Sequence, residues 1–288
     1  MIEKTSHMPF SSRQRGSLNV SIVRYEQPFE MIQKLVETVS FSAVINTIYL
    51  IDNSKQKEEK FNTLPVRYIK TKKNIGFGRA HNIALQASMN ENVPYHLILN
   101  PDVEFDPNIL LEIINYLEEN PTVGALMPKI YYPNGSLQYV CKLLPTPFDL
   151  MNRRFILHQW FKKKADRFIL KHFNYETILN VPYLSGCFMV LNMTAIKKVG
   201  FFDERFFLYP EDIDLSRRIH EHFQTIFFPK VSIIHHHEQG SYKNLHLLII
   251  HIVNSIRYFN KWGWFFDPQR KKFNLETLQQ INKLEDQK

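Results

Sequence analysis

The chain has 288 residues, 44% of them hydrophobic and 14% aromatic, which suits one large domain or two small ones and excludes disorder over most of its length. Its 9 glycines show no repeating period, excluding collagen-like and solenoid architectures, and its two cysteines, Cys141 and Cys187, are too few for a disulfide framework and match no zinc module. The net charge of +8 is concentrated in Met151–His172, where seven basic residues meet the single acid Asp166, so the basic character is local and does not point to nucleic acid.

In chain order, Met1–Gly16 lacks the apolar core of a secretory signal. Leu18–Tyr25 reads as a first strand, followed by a helical pattern at Met31, Leu35, Val36 and Val39. Thr47–Ile51 is a second strand ending in Asp52-Asn53-Ser54, Lys55–Lys60 a charged surface run, and Val66–Ile69 a third strand. Asn74–Leu85 opens with glycines and becomes helical. Tyr95–Leu99 is a fourth strand ending in Asn100-Pro101-Asp102, and Asn108–Leu117 an amphipathic helix with Leu111, Ile114 and Leu117 on one side. Val123–Ile130 reads as a strand and Pro133-Asn134-Gly135 as a hairpin turn. A helix starts near Pro210, and Thr225–Ile234 is a strand running into His235-His236-His237. From Leu245 a helical tail follows, whose apolar stretch Leu245–Val253 is about half the length of a membrane span.

Strands alternating with helices predict an α/β fold: a Rossmann-like, mostly parallel central sheet with helices on both faces. The expected organisation is a tail over 1–17, one α/β domain over 18–244 and a C-terminal helical extension over 245–288. The domain divides into a nucleotide-binding half, 18–122, and an acceptor half, 123–244, with a basic aromatic excursion over 148–175. Asp52, Asn74 and Asp102 stand at predicted strand ends, where open α/β sheets bind ligands.

Each of these positions suits a chemistry. The Asp52 carboxylate can accept from the imide N–H of uracil or thymine. In Asn74–Asn82, Gly76 and Gly78 let backbone approach a ligand at a helix N-terminus, which favours anions. His81 stands where a dinucleotide fingerprint needs its third glycine. Arg79 suits a phosphate or open surface, and Asn82 a nucleotide contact or a cap. Asp102, after Asn100, suits a hard cation or a strand-end turn. Glu211 and Asp212 fit the acidic first turn of a helix and also a general base facing a cleft. Asp214 is spaced to pair with Arg217 or Arg218. Alternation puts His235 and His237 on one face of their strand and His236 on the other. Lys243, near Ser241, suits a phosphate.

Three stretches carry a family resemblance: Asn74-Ile75-Gly76-Phe77-Gly78-Arg79-Ala80-His81-Asn82, Leu99-Asn100-Pro101-Asp102-Val103, and Gly200–Glu204 through Glu211–Arg218. In order and spacing the chain resembles inverting family-two glycosyltransferases of GT-A fold, and among them the rhamnosyltransferase-like branch of bacterial surface-polysaccharide synthesis. The resemblance spans Val20–Ser241, and Arg257–Trp264 looks like the C-terminus of such enzymes from capsule and lipopolysaccharide clusters.

The resemblance implies an inverting transfer of rhamnose from dTDP-rhamnose onto a growing, lipid-linked glycan; the alternatives are a UDP-hexose donor or a non-catalytic sugar-nucleotide binder. It implies Asp52 as the base-recognition acid, Asp102 as ligand of Mg²⁺ or Mn²⁺ with a histidine such as His235 or His237 completing the site, and Asp212 as general base with Glu211 assisting. Asn100 stands where the metal motif more often has its first Asp, and Arg24-Tyr25-Glu26 where Thr-Tyr-Asn is more usual. Ser185-Gly186 would line the acceptor side. The excursion over 148–175 suits peripheral contact with anionic lipid at the cytoplasmic face of a membrane, or an amphipathic surface segment with its aromatic residues in the core.

Overall fold

The computed structural model describes residues 17–151, 159–236 and 245–286. Strand β1 (Leu18–Arg24) shows why the sequence builds a layered sheet. Leu18, Val20 and Ile22 alternate with Asn19 and Ser21, so the two sets face opposite sides. The aliphatic set packs under helix α1 (Phe29–Ser40), against Ile32, Leu35, Val36 and Val39. On the other side Tyr49 and Ile51 of β2 (Ile45–Asp52) meet Ala80 and Ala84 of α2 (Phe77–Asn90). Helices therefore cover both faces, as expected.

The remaining strands are β3 (Arg67–Lys70), β4 (Tyr95–Leu99), β5 (Val103–Glu104), β6 (Val123–Tyr131), β7 (Leu179–Asn180), β8 (Phe188–Asn192) and β9 (Gln224–His235). They form one sheet in the order β3-β2-β1-β4-β8-β6-β9-β5, with β7 also paired to β9. The first half is wholly parallel: β1 lies between β2 and β4, and β3 extends β2. The second half mixes directions. β8 runs antiparallel to both β4 and β6, β6 and β9 are parallel, and β5 and β7 are antiparallel to β9. Two consequences position the site. Leu99 opposite Phe188 puts the start of β8 beside the carboxyl end of β4, and Val103 opposite His235 brings the end of β9 there too.

The other helices are α3 (Asn108–Glu119), α4 (Pro147–Met151), α5 (Gln159–Phe168), α6 (Met193–Val199), α7 (Glu211–His220), α8 (Leu245–Trp262) and α9 (Pro268–Glu285). Two helical stripes differ from expectation at one position each. Ile32, not Met31, faces the core from α1, and Leu110 rather than the exposed Leu111 does so from α3. Within the charged run, Glu59–Thr63 forms a 3-10 turn that buries Phe61 under the Arg24 guanidinium, 4.3 Å from its ring centroid. The helical extension is fastened to the domain by paired polar contacts. Asn274 exchanges hydrogen bonds with the Leu144 backbone at 2.7 and 2.9 Å, and Gln280 accepts from the Asn180 N–H at 3.1 Å.

Between β1 and α2 lies a buried polar chain. Asn19 donates to Ser88 Oγ at 2.9 Å, Ser88 meets His96 Nδ1 at 2.7 Å, and Ser21 Oγ lies 2.8 Å from His96 Nε2 and 2.6 Å from His81 Nδ1. Burial pushes His96 down to about 3; burial and then the neighbouring His96 hold His81 well below its ordinary range; burial takes His220 down to about 4. These imidazoles fold neutral but charge when unfolded, so their contribution is present above about pH 6.5 and is lost as pH falls below it. Each should cost about 1.4 kcal/mol per pH unit in that range. Urea unfolding midpoints should therefore fall between about pH 6.5 and 5, above the carboxylate range. A constant midpoint there would contradict the neutral assignment.

Candidate active site

At the carboxyl ends of β1, β2 and β4 the surface opens into a cavity of about 1170 Å³. Asn53, Asn74, Gly76 and Phe77 line one side, and Asn100 and Asp102 another. Phe207, His236 and the α8 residues Leu247 and Ile250 complete the wall.

The glycine-containing loop is built by local hydrogen bonds. Asn74 Oδ1 accepts from the Gly76 N–H at 2.9 Å, Asn53 donates to the Gly76 carbonyl at 3.1 Å, and Phe77 N–H donates to Phe207 O at 2.9 Å. Gly76 has φ +91°, and a Cβ there would collide with the Phe207 carbonyl oxygen. Only glycine meets both demands, so Gly76 is a requirement of the close approach between this loop and the segment before α7. The N-terminus of α2 then opens at the cavity.

Other residues read as nucleotide contacts lie elsewhere. Arg79 is exposed and pairs with Glu204 at 3.2 Å. Asn82 clips the backbone of Phe202, accepting from its N–H at 3.0 Å and donating to its carbonyl at 2.9 Å. Asp52 is fully buried and does not line the cavity. Its oxygens accept from Tyr68 at 2.7 Å, the Ser54 N–H at 2.8 Å and Arg24 at 3.1 Å. Burial alone would raise its pKa, but the hydrogen bonds from Tyr68 and Ser54 and the Arg24 charge outweigh it and hold the carboxyl below the ordinary range. Asn53, the next residue, is the strand-end side chain that lines the cavity. Its place in a strand-end turn was the signal available in sequence.

Asp102 lines the cavity beside two histidines. His235 Nε2 is 3.4 Å from its carboxylate, and the His236 N–H donates to its backbone carbonyl at 2.9 Å. Burial opposes a charged His235, but Cys187 and Asp102 beside it outweigh this and push the imidazole up to about 10. Alternation turns His236 the other way, so it lines the cavity 3.5 Å from Glu104. Among the described residues no cluster of three His, Cys, Asp or Glu forms a metal cage. One carboxylate at the rim of this cavity nonetheless fits Mg²⁺ or Mn²⁺, which take few protein ligands and fill their shell with water and substrate phosphate. His235 would have to release its proton to join them. His237, Ser241 and Lys243 lie outside the described residues, as do the side chains of Phe155, Trp160 and Phe161.

Glu211 and Asp212 open α7, with Pro210 at the cap position rather than inside the helix. Asp212 Oδ2 accepts from the Gly186 N–H at 3.3 Å and Oδ1 from the Ile213 N–H at 2.8 Å. It does not itself line the cavity, but its neighbours join it to the rim. A Cβ on Gly186 would stand 3.4 Å from Asp212 Cβ and 3.3 Å from the cavity-lining Phe77 ring, and the next residue, Cys187, accepts from the Asn100 N–H at 2.8 Å. Asp102 and Asp212 thus approach the same rim from either side of residues 186–187. Ser185 is turned away, its N–H on Met127 Sδ at 3.2 Å and its hydroxyl on Cys187 Sγ at 3.5 Å.

Burial raises the pKa of both acids. For Glu211 the Asp212 charge adds to it, whereas Lys142 and the backbone N–H groups of Gly186, Ile213 and Asp212 itself pull Asp212 back. Glu211 is 4% exposed, and its Oε2 has no hydrogen-bond partner among the described residues. Of the two, Glu211 is the more strongly held against ionisation, because the Asp212 charge adds to its burial while Lys142 and backbone N–H groups favour a charge on Asp212. Asp214 pairs with Arg218 at 2.9 Å and Lys261 at 2.6 Å, while Arg217 turns to Asp267 instead.

The chain is 27% identical over 217 residues, 71% of each sequence, to the N-acetylglucosaminyl-diphospho-decaprenol L-rhamnosyltransferase of Mycobacterium tuberculosis. It is 27% identical over 175 residues, 58% of this chain and 64% of the other, to the rhamnosyltransferase WbbL of Escherichia coli K12. GalNAc-T7, solved with UDP, GalNAc and Mn²⁺, superposes with a TM-score of 0.57 at 14% identity. That match covers 78% of this chain but 44% of GalNAc-T7, and it speaks for the fold alone. The sequence profile of Glycosyl transferase family 2 matches residues 44–200, more than half of the chain, and the chain belongs to that family.

Proposed function

We propose that the protein is an inverting, metal-dependent glycosyltransferase that moves rhamnose from dTDP-rhamnose onto a growing, lipid-linked surface glycan. The observation that carries this reading is the convergence at one sheet rim of an anion-favouring helix start, Asp102 and Asp212. The activities of the Mycobacterium tuberculosis and Escherichia coli relatives support the sugar, and that of the former supports the lipid-linked acceptor.

In this reading the diphosphate lies against the loop of Asn74 and Gly76 at the start of α2. Asp102, with His235 beside it, would hold Mg²⁺ or Mn²⁺, which supplies Lewis-acid neutralisation of the departing diphosphate. Asp212 takes the proton of the acceptor hydroxyl as its oxygen bonds to the anomeric carbon, and the carbon–phosphate oxygen bond breaks on the opposite face. The nucleoside diphosphate leaves with that electron pair, and configuration inverts. Glu211, whose ionisation burial and the Asp212 charge oppose, stays protonated in this reading and keeps a second charge away from Asp212. The enzyme would work at the inner face of the cytoplasmic membrane; among the described residues no helix is long and apolar enough to cross one.

The test is a donor screen over dTDP-, UDP- and GDP-sugars, with and without Mn²⁺. Hydrolysis or transfer should be strongest with dTDP-rhamnose, should require the cation, and should lose its metal-dependent donor binding in Asp102→Ala. Preference for a UDP-hexose would reassign the donor. Nucleotide binding without turnover of any donor would identify a non-catalytic binder.

A further inference from the structure

Helix α8 is built inside out. Its buried face carries Asn254, Ser255, Tyr258 and Phe259, with Asn254 donating to the Leu208 carbonyl at 2.8 Å. Its outer face carries Leu245, 70% exposed, and Ile249, Ile252, Val253 and Ile256, each 40–52% exposed. At about 100° per residue these five fall within an arc of about 100°, a stripe about 16 Å long. Single exposed aliphatic residues are ordinary, but a continuous stripe marks an interaction surface.

The stripe leads into an aromatic tip. Asn260 lies on the same face and accepts from Trp264 Nε1 at 2.8 Å. Beyond it Phe265 and Phe266 are 91% and 86% exposed. This tip is held in place. Gly263 takes φ +97° against the Phe266 carbonyl, and Asp267 is locked to the buried Arg217 at 2.6 and 2.7 Å.

Basic groups border this surface. Lys271 and Lys272 follow the tip and are exposed. On the other side α4 packs on α8, and Phe148 of α4 lies 4.4 Å beneath Lys164 of the exposed Lys162–Lys164 run. Of the described aromatic residues of that segment, Phe168, Phe173 and Tyr175 are buried and Phe148 is half-buried, so what its described residues offer outward there is chiefly charge.

We propose that the α8 stripe and the Phe265–Phe266 tip dock on an anionic lipid bilayer, lying in its interface with the flanking lysines among the head groups. The like charges around the patch oppose pairing with a second copy and favour an anionic surface. Leu247 and Ile250 of the same helix line the cavity, so docking would set the cavity beside the bilayer, where a lipid-linked acceptor is anchored. That last consequence rests on the proposed function; the docking itself does not.

The full chain should co-sediment with phosphatidylcholine vesicles containing about a third phosphatidylglycerol, and far less with phosphatidylcholine alone. The double variant Phe265→Ser/Phe266→Ser should bind at least about tenfold more weakly, as should the triple variant Ile249→Gln/Ile252→Gln/Ile256→Gln. Both should keep the wild-type circular dichroism and vesicle-free donor hydrolysis, which separates failure of docking from failure of the transferase reading. Wild-type protein left in the supernatant with anionic vesicles, or variants that sediment like wild type, would overturn the proposal. So would a wild-type dimer that the triple variant converts to monomer with unchanged lipid binding.

Discussion

Asp212→Asn should lower turnover by about 10²–10⁴-fold while changing donor affinity only a few-fold. The substitution keeps the side chain's shape and one acceptor for the Gly186 or Ile213 N–H. It removes only the group that receives the proton, and that group acts in the transition state rather than on bound donor. Glu211→Gln supplies the contrast. Because burial and the Asp212 charge both disfavour a charge on Glu211, its amide should retain most of the turnover. Steady-state rates together with calorimetric donor affinity read both. Near-normal turnover in Asp212→Asn would remove the base assignment, and a larger loss in Glu211→Gln would transfer it to Glu211.

The second large effect concerns stability. Asp267→Ala should destabilise the fold by about 3–5 kcal/mol, because it leaves the Arg217 guanidinium buried without its carboxylate. Both side chains are 2% exposed, and the pair is bidentate at 2.6 and 2.7 Å. Asp267 also caps α9, accepting from the Arg270 N–H at 2.9 Å, so the loss includes a helix cap. For a chain of this size the melting temperature should fall by about 10 °C. A double change, Arg217→Met with Asp267→Leu, removes both charges and should recover most of that loss despite the missing cap. A single variant that melts like wild type would show the pair to be dispensable. Arg217 lies on α7, five residues after Asp212, so melting and turnover should be measured on the same preparations.

Much of the sheet was legible because its signals are local. Tyr95–Leu99 is a short, mostly apolar run that ends at Asn100-Pro101, and the structure gives β4 the same limits. The strand-end rule also located the cavity, since it opens where β1, β2 and β4 finish. What sequence did not reveal depends on partners far along the chain. Arg79 and Asn82 stand in a loop that reads as a phosphate cradle, yet they hold residues 202–204, about 120 positions away. Asp52 reads as an open strand-end acid, and nothing local says that Arg24 and Tyr68 occupy it. The unusual Arg24 was visible, but its destination was not. Cys187 reads as an isolated thiol, because β9 must first be laid beside β5 before His235 becomes its neighbour. The apolar side of α8 was visible as composition, but which way it faced depended on Asn254 finding Leu208.

The contact between Gly76 and Phe207 has a consequence for how ligands communicate. Phe207 takes the Phe77 N–H and leaves room for no side chain on Gly76, while four residues later the same segment enters α7, with Asp212 next. A shift of this seam would therefore be felt at the start of α2 and at Asp212 together. If one ligand orders the seam, it prepays part of the ordering that the other requires, and by thermodynamic reciprocity the benefit is equal in both directions.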